Sequence, residues 1–120
     1  MFESRREIRS IPIELPDGMD DQCILRASGI NGWMTEYELA WLATTAFKQS
    51  GPIVEVGSFL GRSTAALADN VPGRTVYAVD NWTGSTQDQS SGWWPIILLD
   101  RPPNWLFNQF TLNAADNVFP

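Results

Sequence analysis

Two short apolar runs joined by a glycine turn and a helical stretch constrain this chain more than anything else in it. The first, Ile53-Val54-Glu55-Val56-Gly57, is β-branched and bounded by Pro52 and Gly57, the pattern of a buried parallel strand. A helix is predicted from Gly61-Arg62 through Ala65, Ala66, Leu67 and Ala68 to Asn70, ended by Val71-Pro72-Gly73. The second run, Thr75-Val76-Tyr77-Ala78-Val79-Asp80, reads as another strand. Strand, turn, helix and strand within residues 53–80 make a βαβ unit, with parallel strands and a right-handed crossover. The expected class is α/β.

The flanks are less regular. Residues 1–32 read as an N-terminal arm, broken by Pro12, Pro16 and Gly18 and made acidic by Asp17, Asp20 and Asp21. Within it, Ile11 and Ile13 suit a short extended piece lying on the domain. Residues 33–120 read as the domain proper. Thr35-Glu36-Tyr37-Glu38 is a capping box opening a helix over 36–49, with Leu39, Leu42, Ala43, Ala46 and Phe47 as its core stripe. Gly51-Pro52 stops it. Beyond Asp80 the periodicity is lost over 81–103, a long polar stretch interleaved with Trp82, Trp93 and Trp94. Asn104 then reads as the N-cap of a helix to about Asn117, carrying Trp105, Leu106, Phe107, Phe110 and Ala114, and a further strand is expected at Val118-Phe119-Pro120.

In a parallel sheet, ligands bind beyond the carboxyl ends of the strands. Gly57 closes the first strand and Asp80 the second. Gly57 and Gly61 allow the backbone to turn sharply and approach a ligand, and the helix start after Gly61 directs N–H groups toward it. A carboxylate at the tip of the second strand suits a ribose diol. A tight turn with no ligand is the alternative for the two glycines. Glu55, a carboxylate inside an apolar strand, needs a partner or a ligand to offset burial, and an ion pair with Arg62 or Arg74 is its alternative. Dinucleotide sites place a glycine at the centre of the turn so that a pyrophosphate can approach. Here Phe59 occupies that slot, which favours a nucleoside cofactor without phosphates, S-adenosylmethionine, over NAD or FAD.

The run Val54-Glu55-Val56-Gly57-Ser58-Phe59-Leu60-Gly61-Arg62-Ser63-Thr64 resembles the first motif of class I S-adenosylmethionine-dependent methyltransferases, in the branch of small-molecule or sugar O-methyltransferase-like proteins reading E-[IV]-G-S-x-x-G-[RK]-S-[TS]. Val76 to Trp82 is similar to that branch's second motif, and Gly32-Trp33-Met34-Thr35 to the segment before the first. The resemblance spans roughly residues 30–118. It implies a Rossmann-like parallel sheet with flanking helices, incomplete here: the first two strands and adjacent helices, the N-terminal half of the methyltransferase domain. It further implies that Glu55, Gly57, Ser58 and Gly61 line the methionine and ribose side of the cofactor. Arg62 and Ser63 would sit at the helix start, Asp80 would hold the ribose hydroxyls, and Trp82 would flank the adenine. A core aromatic is the other reading of Trp82. No catalytic residue carries over; Asp88 and Asp100 lie in the long loop, where they could approach a substrate.

Composition excludes several other classes. The net charge of −6 argues against a nucleic-acid partner, since the basic residues cluster only at Arg5, Arg6 and Arg9, which read as a solvated arm. With no His, neither a Ser-His nor a Cys-His pair can be assembled, and imidazole metal ligands are absent, so no metal site is expected. Cys23 is alone and ties the chain to no oxidising compartment. No run approaches the length needed to span a bilayer and no targeting segment is visible, so the expectation is a cytoplasmic protein without a membrane partner. Its substrate would be a small molecule or glycan hydroxyl. Two alternatives stand beside this reading. One is a non-catalytic interaction module whose open sheet associates, for example as a homo-oligomer. The other is a fragment of an NAD-dependent oxidoreductase.

Overall fold

The computed structural model describes residues 13–20, 22–83 and 101–120. Arg5, Arg6, Arg9, Ile11, Asp21 and the loop residues Trp93, Trp94, Asp88 and Asp100 lie outside them. Among the described residues, four helices accompany an open sheet of three strands. In chain order these are α1 (Leu25–Ser28), α2 (Glu36–Lys48), β1 (Ile53–Val56), α3 (Arg62–Ala68), β2 (Val76–Val79), α4 (Trp105–Asn113) and β3 (Val118–Phe119). The strands lie in the order β1-β2-β3 and all pair in parallel, Ile53 beside Val76 and Val76 beside Val118. The class is α/β, as the βαβ pattern requires. Two strands were identifiable in the sequence; the third begins at Val118, where a further strand was expected.

The Thr35 half of the capping box on α2 forms as its sequence predicts, whereas the Glu38 carboxylate takes the Thr35 hydroxyl and not a backbone N–H. Thr35 Oγ1 accepts the N–H of Glu38 at 3.2 Å and donates to Glu38 Oε1 at 3.1 Å. The buried stripe, however, is rotated from the expected one. Leu39, Ala40, Ala43, Thr44 and Ala46 are buried, while Phe47 is exposed. The cause lies on the neighbour, because α3 presents Ala65, Ala66 and Ala68. Alanine against alanine lets two helices approach more closely than leucine or phenylalanine would.

The second half of the presumed arm belongs to this core. Ile24 and Ala27 are fully buried and pack with Leu39, Ala40, Ala43, Ala65 and Ala66. Periodicity could not reveal α1, because a helix of four residues has too few turns to show a stripe. Polar anchors hold it. Arg62 donates from Nε to the carbonyl of Met34 at 2.8 Å and from Nη1 to those of Ser28 and Ile30, each at 2.8 Å. A Cβ on Gly32 would stand 2.8 Å from Arg62 Cδ, so the absence of a side chain there gives the arginine its path. Arg26 forms a two-pronged pair with Asp69, both contacts at 2.8 Å. Those hydrogen bonds hold its guanidinium above the ordinary arginine pKa, with partial burial opposing.

At the other end, α4 stops at Asn113 rather than near Asn117, because Ala114 is already extended. Asn104 precedes it without a side-chain capping bond. Asn117 does different work: its amide donates to the carbonyls of Ala68, Val71 and Arg74, tying β3 to the end of α3.

Helices cover one face of the sheet. Ile53, Val76 and Val118 point into a cluster with Ala46, Leu67, Ala68 and Val71. On the other face Val54, Val56, Tyr77, Val79 and Phe119 are all exposed, Val56 at 81%. The sequence suggested a strand buried on both sides; here β1 is covered on one. No helix of the described residues is long and apolar enough to cross a membrane.

Arg62→Lys removes the fork that reaches several carbonyls at once and should lower stability by about 2 kcal/mol. Urea unfolding measures it, and a loss within error of zero would refute the anchoring role.

Candidate functional site at the ends of the first two strands

At the carboxyl end of β1 the backbone makes a closed turn. The N–H of Gly57 donates to the carbonyl of Val79 at 2.8 Å, extending the sheet by one bond. The N–H of Gly61 donates to the carbonyl of Ser58 at 2.9 Å, closing the loop on itself. Gly57 and Gly61 have φ of 87° and 96°, a region open to glycine and costly for other residues. The two differ in surroundings. Nothing lies within 4 Å of a Cβ built on Gly57, whereas one on Gly61 would meet Phe110 Cδ2 at 3.3 Å.

Asp80 joins this turn to the end of β2. Its Oδ2 accepts the N–H of Phe59 at 2.9 Å, and its Oδ1 accepts the N–H of Trp82 at 2.8 Å. Phe59 and Trp82 are the two described non-glycine residues with positive φ, 51° and 60°. So one carboxylate holds both of the left-handed non-glycine backbones, a conformation that costs on the order of 1 kcal/mol or more at each. Non-glycine residues held this way cluster at ligand sites.

Ser58 lies inside this corner, 2% exposed, and its Oγ has no hydrogen-bond partner. An unpaired buried hydroxyl costs roughly 1–3 kcal/mol, and satisfying it would recover that. Glu55 faces α3 from β1, where its Oε1 accepts the hydroxyl of Thr64 at 2.5 Å. The two arginines considered for it send their hydrogen bonds elsewhere, Arg62 to α1 and the segment before α2, Arg74 to the carbonyls of Gly51 and Ala46. Arg62 and Ser63 do open α3, but the Arg62 guanidinium extends away from the loop toward Met34. Gly57, Ser58, Gly61 and Asp80 thus come together, with Glu55 behind them under α3.

Trp82 packs against α4, its ring 4.6 Å from that of Phe110 and 5.3 Å from that of Phe107. It also lines a cavity of about 300 Å³ with Thr83, Arg101, Pro102, Pro103 and Leu106. Both readings of this residue therefore have a physical basis. Phe59 turns its ring toward Trp33, with centroids 4.8 Å apart. Sequence reasoning missed Asn113, whose amide donates to the carbonyl of Leu60 at 2.9 Å and fixes the loop from α4. An isolated asparagine at a helix end carries no signal of a bond 53 residues away.

Gly61→Ala, which meets both the left-handed φ and Phe110, should destabilise by about 2 kcal/mol, and Gly57→Ala, which meets only the φ, by about 1 kcal/mol. Chemical denaturation of the two variants checks the order, and equal losses would contradict it. Compared with protein-family models, with curated proteins and with solved structures, the chain finds no match in any of the three.

Proposed function

We propose that the turn from Glu55 to Ser63, with Asp80, is one wall of an S-adenosylmethionine site. The domain would be the N-terminal part of a Rossmann-like methyltransferase acting on a hydroxyl of a small molecule or glycan. The observation that carries this reading is the corner itself. An acidic residue ending β2 is bonded to the glycine turn ending β1, over the buried and unpartnered Ser58 hydroxyl.

Several features support it. The strand order β1-β2-β3 matches the first half of a doubly wound sheet, whose ligand crevice opens beside the first strand. Asp80 Oδ1 and Oδ2 each keep lone-pair capacity beyond the N–H they accept, enough for a ribose diol. The N–H groups of Gly57, Phe59 and Gly61 are all engaged within the protein. These three are therefore not donors for a pyrophosphate, and Phe59 fills the slot where dinucleotide sites place a glycine, which supports a phosphate-free cofactor over NAD. Ser58 and Asp80 would hold the cofactor, Gly57 would let it approach the backbone, and the cavity beside Trp82 would accept its base. Bound S-adenosylmethionine would supply an electrophilic methyl group on a sulfonium sulfur. The contribution of these residues is to orient it, since in-line transfer depends on alignment.

Isothermal titration with S-adenosylhomocysteine tests the proposal. Binding is expected, at least tenfold weaker in Asp80→Asn, with NADH giving no heat. A folded chain that takes up no S-adenosylhomocysteine would overturn it.

The bare sheet face supports a second reading, an interaction module that associates through its open sheet. Parallel sheets are covered on both sides in folded proteins, and five large apolar side chains here are not. On that reading the chain should elute from size-exclusion chromatography as a dimer or larger at micromolar concentration. A clean monomer would dismiss it.

A further inference from the structure

Away from the glycine turn, the outer side of α2 carries a cavity of about 340 Å³ lined by Met34, Tyr37, Glu38, Trp41 and Leu42. That size is at the small end of ligand sites, which run from about 300 to 1,000 Å³. Tyr37 and Trp41 stand four residues apart on the helix, so their side chains share one side of it. Both are about half exposed, Tyr37 at 50% and Trp41 at 54%, although each carries a large apolar surface. Glu38 is the one charged residue of the lining. Its carboxylate is pre-set, because the Thr35 hydroxyl both caps its backbone N–H and donates to its Oε1.

We propose that this cavity binds a small organic cation of the methylated or quaternary ammonium type. Two aromatic rings, a thioether and one carboxylate are the complement such an ion needs. Its charge is spread over methyl groups that cannot donate strong hydrogen bonds, so it is weakly hydrated and gains from the negative faces of Trp and Tyr. Glu38 supplies the counter-charge, and Glu36 in the same helical turn adds to the negative potential. A metal ion or a primary amine would ask for several oxygen ligands, and the lining offers mostly carbon and sulfur. The nearby cation, Arg62, is held by the carbonyls of Met34, Ser28 and Ile30 and is not among the residues lining the cavity.

The proposal is independent of the S-adenosylmethionine site, and its test leaves that site untouched. Choline is titrated into the intact chain beside its uncharged isostere, in which carbon replaces the quaternary nitrogen, following the indole N–H resonance of Trp41. Choline should shift that resonance saturably, and the isostere should bind at least tenfold more weakly. Trp41→Ala should weaken choline binding about tenfold and Glu38→Gln about fivefold, the latter keeping a side chain suited to the capping box. Equal binding of choline and its isostere, no saturable shift with choline, or unchanged affinity in both variants would each overturn the assignment.

Discussion

The structure depends first on the carboxylate of Asp80. It is the only described side chain that bonds to both the turn after β1 and the segment after β2, through the N–H groups of Phe59 and Trp82. Each of those residues is held in a backbone conformation it would not choose alone. Their side chains consequently leave in directions that a regular strand-to-helix turn would not give. Phe59 goes to Trp33, and Trp82 goes to Phe107 and Phe110 on α4. One acidic residue thereby connects the segment before α2, the glycine turn and α4. Asp80 is thus oriented by two main-chain bonds without any ligand, which lowers the ordering cost of binding there.

A second constraint runs through the helical layer. Because α2 and α3 meet through alanines, their packing supplies modest apolar area, and the short helices leave many terminal carbonyls to satisfy. Long polar side chains take that part. Arg62 serves the end of α1, Arg74 the carbonyls of Ala46 and Gly51, Asn70 those of Cys23 and Ala66, and Asn117 the end of α3. The layer is held by close small-residue packing inside and by a network of side-chain-to-main-chain bonds around it.

These two levels differ in how far the sequence announces them. Thr35, the β-branched runs of β1 and β2, and the paired glycines act over a few residues, so their roles can be read locally. The rotated face of α2 could not be read so, because it was set by Ala65, Ala66 and Ala68 on another element. Likewise α1 is too short for a period, and Asn113 and Asn117 act across distances in sequence that no motif records. At the site, the meeting of Gly57 with Asp80 follows from strand ends in a parallel pair. The direction of Arg62, the Glu55 bond to Thr64 and the position of Trp82 over α4 arise from packing, which only three-dimensional neighbours decide.

The strand order has a consequence for how the molecule is made. In β1-β2-β3, spatial neighbours are also successive along the chain, and every pair is parallel. Each strand emerging from the ribosome finds its partner already synthesised, so the sheet can grow in the direction of translation. The bonds from Asn113 to Leu60 and from Asn117 to the end of α3 come from residues made after β1, α3 and β2, and act as latches on a unit laid down before them. Until they close, the glycine turn lacks one of its fixed walls. The turn between β1 and α3 is thus translated before the α4 residue that braces it.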